Sequence, residues 1–130
     1  MTLGELRDWF KAEYGWSESV SIGKIDRDKD KAICFYPTQS GKNRIATIGG
    51  KKNRSYQQRK VTVLLRYGTN AAKAEEKAQD IYDFFDEKEE NTDVLSFFTI
   101  MRYSEPISLG TDNDGIYEYT YELEVYERKK

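Results

Sequence analysis

Apolar residues recur along this chain with two periods, and the switches between them divide it into helices and strands. Leu3, Leu6, Trp9 and Phe10 follow helical spacing as far as Gly15, and Thr2 stands three residues before Glu5 in a capping-box arrangement. This predicts a short amphipathic helix whose apolar stripe packs on a core. Val20 to Ile25 alternates, Asp26-Arg27-Asp28-Lys29-Asp30 turns, and Lys31 to Tyr36 is a second β-prone run stopped by Pro37. The two runs are expected to pair as a hairpin. Lys60 to Tyr67 reads as an interior strand. Asn70 then caps a helix with Ala74, Ala78, Ile81, Tyr82 and Phe85 on its apolar face. The outer face carries Glu75, Glu76, Asp80, Asp83, Asp86, Glu87, Glu89 and Glu90. Leu95 to Tyr103 reads as another strand. In the last strand Tyr117, Tyr119, Tyr121, Leu123 and Val125 alternate with Glu118, Thr120, Glu122 and Glu124, so one face is aromatic and the other acidic.

The resulting order predicts an α+β fold in one domain spanning residues 1–130, with an antiparallel or mixed β-sheet covered by two helices. Between the second and third strands, Thr38 to about Gln58 is rich in Gly, Ser, Asn, Gln and Lys. It reads as a long mobile basic loop, within which Ile45 to Ile48 has the pattern of a short strand.

Composition narrows the chemistry. The 130 residues are 38% hydrophobic and 34% charged, but 14% are aromatic, enough ring area to anchor a modest core. The chain has no histidine and one cysteine, Cys34, inside an apolar run, so no internal disulfide can form and a Cys–His or Ser–His pair is excluded. Asp26-x-Asp28-x-Asp30 begins like a calcium loop, but Lys31 occupies the position that needs glycine and Pro37 the position of the bidentate glutamate. Ser40-Gly41-Lys42 lacks the flanking residues of a phosphate loop. The expectation is a protein with no catalytic residues, metal or cofactor. The start of the chain lacks a basic and apolar leader, and no apolar run is long enough to span a bilayer, so synthesis and use in the cytosol without membrane contact are expected.

Charge is divided unevenly. Residues 31 to 74 hold ten basic residues and no acid, whereas residues 75 to 127 hold sixteen acids against three bases, a net −13. A chain so divided offers complementary surfaces to a partner or to copies of itself. The expected contact residues are Lys42, Arg44, Lys51, Lys52, Arg54 and Arg59 on the basic side, and Glu76, Asp80 and Asp83 on the acidic side. An alternative reading is a nucleic-acid-binding module that uses the basic 42–60 segment, including Lys60, for phosphates and Tyr56 for stacking.

Pro106, Leu109, Gly110, Asp112 and Gly115 form a Pro-x-x-Leu-Gly-x-Asp-x-x-Gly signature that opens the last alternating strand. Asp112-Asn113-Asp114-Gly115 supplies side chains that bond their own backbone and a glycine free to take positive φ, so the chain can reverse there. This signature resembles the C-terminal region of minor capsid and tail terminator proteins of long-tailed bacteriophages. The resemblance extends to the Arg59 to Tyr67 strand and the helix over 71 to 85, and to the N-terminal third only in layout. It implies a virion subunit, assembled in the host cytoplasm, that forms a hexameric ring at the head-proximal end of the tail. The implied partners are the subunit itself, the tail tube protein and the head–tail connector protein, with DNA only as passing cargo.

Overall fold

The computed structural model describes residues 2–38, 56–92 and 95–128. Helix α1 (Leu3–Phe10) starts on the expected capping box, with the Thr2 hydroxyl accepting from the Glu5 N–H and the Glu5 carboxylate from the Thr2 N–H. It runs into a π-helical turn, Lys11–Gly15, before the chain straightens at Trp16. Helix α2 (Ala71–Phe85) starts at Asn70, whose side chain accepts from the Lys73 N–H; Ala74, Ala78, Ile81, Tyr82 and Phe85 are its buried face.

The strands are β1 (Ser19–Ile22), β2 (Lys31–Pro37), β3 (Tyr56–Tyr67), β4 (Glu89–Asn91), β5 (Ser96–Met101), β6 (Ile107–Thr111) and β7 (Tyr117–Arg128). They form one mixed sheet in the order β1-β2-β3-β7-β5-β4, with β6 also paired to β7. Strands β3 and β7 are the long central pair, aligned antiparallel from Tyr56 opposite Arg128 to Arg66 opposite Glu118. On the other side of β7, β5 covers Leu123 to Glu127 and β6 covers Tyr117 to Thr120. The two behave as one strand interrupted by an excursion at residues 102–106.

Both helices cover the same sheet face. Leu6, Trp9 and Phe10 from α1 and Ile81 and Phe85 from α2 meet Ile33, Phe35, Val63, Leu65, Phe97, Tyr121, Leu123 and Val125 in one core. Its centre is aromatic: Phe10 stacks on Phe85 at 5.3 Å, and Trp9 meets Phe97 edge-on at 4.9 Å. Cys34 lies in a smaller cluster on the opposite face, with Ile25 and Ala32, and is buried there as a packing residue.

Several expectations are corrected. β1 and β2 do not form a hairpin: they pair in parallel, with Ser19 opposite Ala32 and Ile22 opposite Phe35. Gly23, at φ +76°, turns the chain out of the sheet, and Ile25 buries against Ala32 and Cys34 as residues 23–30 return along the far face. Burial of that isoleucine replaces the tight reversal. The Asp26 turn itself is present, with the Asp28 N–H bonded to the Asp26 carboxylate.

β4 was not expected. Glu87, at φ 51°, breaks away from α2, so Glu89 and Glu90 lie on a short edge strand rather than on the helix. The signature segment is not all loop, because Ile107–Thr111 pairs with β7. Tyr56, Gln57 and Gln58 belong to β3, which shortens the basic connection from its β3 end. Residues 39–55, with Lys42, Arg44, Lys51, Lys52, Arg54, the expected Ile45 to Ile48 strand and the expected loop mobility, lie outside the described residues.

Candidate functional site

The signature residues build a turn that is locked from both sides. The Asp112 carboxylate accepts from the N–H groups of Asp114 and Ile116, each at 2.9 Å, closing the reversal between β6 and β7. Gly115 sits in it at φ +78°. Among the described residues no atom beyond its two chain neighbours stands within 4 Å of where a Cβ would project, so the penalty for a side chain there comes from the backbone. Gly115→Val should therefore cost about 1–2 kcal/mol of stability. Asn113→Ala, at an exposed position, should stay within about 0.5 kcal/mol. Equal melting temperatures for the two variants would rule out strain as the role of this glycine.

The second lock is Arg66, which the sequence pattern did not single out. It ends the β3 run Val61-Thr62-Val63-Leu64-Leu65 and is 1% exposed. Its Nη1 reaches Asp112 Oδ2 at 2.5 Å and Glu118 Oε2 at 3.1 Å, and Arg27 holds Glu118 from the solvent side. Burial alone would lower the guanidinium's pKa; the hydrogen bonds from Asp112 and Glu118 outweigh this and raise it above its ordinary value. The Asp112 carboxyl is held below the usual carboxylate range by the Ile116 N–H first and Arg66 second. The available signal was an arginine on the same strand parity as Leu64, beside an acidic strand of matching length. What hid it was the unknown register between the strands.

Three other surfaces carry exposed charge. The outward side of α2 exposes Glu75, Glu76 and Asp83, and Asp86 and Glu87 follow its end; none of the five has a basic ion-pair partner among the described residues. Asp80 is instead engaged by the Tyr14 hydroxyl, and Asp83 by Gln79 at 2.9 Å. A groove of about 610 Å³ separates the start of α2 from the excursion, lined by Glu75, Gln79, Tyr103, Glu105, Ile107 and Tyr119. A second, of about 660 Å³, lies where Lys31 and Lys77 stack over Tyr67.

The other expected contact residues are scattered. Arg59 and Lys60 are neighbours on β3 and so face opposite sides of the sheet, with Lys60 opposite Glu124. Pro106 ends the excursion, and Leu109 and Gly110 form the bulged edge of β6. Glu90, expected on an outer helix face, accepts from the Trp9 indole at 3.0 Å. Among the described residues no group of three or more His, Cys, Asp or Glu is placed to hold a metal ion, and no helix is long and apolar enough to cross a membrane.

The described residues thus combine an aromatic core, a buried ion network at the β6–β7 turn and exposed carboxylates along α2. The sequence model of the bacteriophage tail terminator protein family matches residues 11–126. The chain belongs to that family and is a structural component of the virion. Comparison with curated proteins and with solved structures finds no match.

Proposed function

We propose that this protein forms the ring that ends polymerisation of the tail tube and joins the finished tail to the head connector. Family membership supports the terminator role. The observation that supports the ring is the row of α2 carboxylates that have no basic ion-pair partner among the described residues, set against residues 31 to 74 of the same chain with ten bases and no acid. In a cyclic assembly every subunit offers two different surfaces to its neighbours, so an acidic face and a basic segment can pair around the whole ring. Glu76, Asp80 and Asp83 receive Lys42, Arg44, Lys51, Lys52 and Arg54 of the next subunit in this reading, with Arg59 close by. Exposed pairs of this kind set register and association rate more than affinity. DNA passes through without being read, and the ring sits at the head-proximal end of the tail.

Deleting the gene should leave tails of uncontrolled length that do not join heads, as seen by electron microscopy of lysates. Tails of normal length joined to heads in the deletion strain would sink the terminator role. A salt-dependent shift of DNA by the purified protein would instead favour the nucleic-acid-binding reading.

A further inference from the structure

Among the described residues, the exposed large apolar side chains lie at the margins of the sheet. Leu109 is 53% exposed, Tyr103 46% and Ile100 43%; all three lie on the β5–β6 side. Ile22, 42% exposed, ends β1 at the opposite end of the strand order. Both margins also carry free backbone: among the described residues β6 pairs only with β7, and β1 only with β2. An unpaired strand edge is a template for another strand, and proteins usually blunt such edges with charge, proline or brevity. β4 is blunted in this way, with three residues of which two are glutamates. β1, Ser19-Val20-Ser21-Ile22, has no charge, no proline and no bulge, and β6, although bulged at Leu109 and Gly110, has no charge or proline within it.

We propose that the edge of β1 in one subunit docks antiparallel on the β6 margin of the next. This is a strand-to-strand contact between two copies of the chain, and it rests on the ring reading above. The β6 margin asks for an occupant with a free strand edge, an aliphatic side chain and a cation, because Glu105 and Glu75 line the groove beside it. β1 supplies all three: its edge, Ile22, and the exposed Lys24 two residues beyond. Charge selects the direction. An antiparallel alignment carries Lys24 to Glu105 and Glu75, whereas a parallel one would bring Glu18 there. In the antiparallel alignment Glu18 falls beside the turn after β6, where the Asp112 carboxylate is already held by Arg66. Backbone hydrogen bonds provide the affinity, and Ile22 against Leu109 and Tyr103 provides specificity. Two different edges make the contact heterologous, the kind that closes into a ring.

Cysteine cross-linking tests this contact, because the native Cys34 is buried and the introduced thiols are the accessible ones. Ser21→Cys and Ser108→Cys subunits, mixed and treated with a short bifunctional thiol reagent, should give covalent dimers, while each variant alone should give none. The double variant should give a ladder up to the full ring. Cross-linking of Ser21→Cys alone would mean that β1 pairs with β1, and the proposal would be overturned. Lys24→Glu should raise the protein concentration needed for half assembly about threefold or more, and adding Glu105→Lys should restore it. Assembly of the unmodified protein is followed in parallel by mass photometry. No assembly in solution or in purified tails would sink the ring reading and this contact together, whereas rings that do not cross-link sink the contact alone.

Discussion

Arg66→Met should lower the stability of the folded chain by about 3 kcal/mol, a melting shift on the order of 10 °C for a domain of this size. The guanidinium is almost fully enclosed and ties together three elements that are distant in sequence: β3, the Asp112 turn and β7. Methionine fills much of the space but leaves Asp112 and Glu118 facing each other with only Arg27 to offset them. Breaking a buried pair by removing one partner costs far more than the pair contributes net. Arg27→Met is the control: its side chain is 61% exposed, and an exposed pair is worth under about 1 kcal/mol. Equal thermal shifts for the two variants would show that the buried network holds nothing together.

The same network sets a pH dependence. The folded-state pKa of Asp112 is depressed below its ordinary 3.8. Its contribution is therefore fully present above that value and is lost as pH falls through the lower folded-state value. Wild-type stability should fall more steeply than that of Asp112→Asn below about pH 4, as read from denaturant midpoints.

Phe85→Ala should cost about 4 kcal/mol, close to what a chain of this size can lose and still fold. Phe85 is fully buried and its ring meets those of Phe10, Trp9, Phe35 and Phe84. Truncation leaves a cavity at the junction of both helices and the sheet, which no single element can close by shifting. Phe84→Ala should cost clearly less, because that ring is only partly buried and packs at the edge of the cluster. Chemical unfolding of the two variants checks the order, and a larger loss for Phe84→Ala would mean that the helix is rotated from this placement.

Local periodicity made both helices legible. The Thr2 and Asn70 caps, the α2 stripe ending at Phe85, the alternation of β7 and the Asp112 to Gly115 reversal all depend on residues within a few positions of one another. Their physics is complete in the local sequence. The signature also carried the family, which matches residues 11–126.

Strand partners and their direction are different, because they depend on which faces are buried once distant segments meet. Ile107-Ser108-Leu109-Gly110-Thr111 alternates over too few residues, before Gly110 and the turn, to name a partner, and it lies in the sheet by pairing with β7. β1 runs parallel to β2 because Ile25 finds a buried site with Ala32 and Cys34 on the far face, a site that exists only after β2 and β3 have paired. Arg66 gains its partners in the same way, through a register that brings Glu118 opposite it and Asp112 beside it. The sequence by itself therefore determined the helices, the turn and the kinship of this protein, since each rests on short-range geometry. The direction of β1, the open β6 margin and the buried charge network were decided by the tertiary structure, since each rests on contacts between segments that no short-range pattern connects.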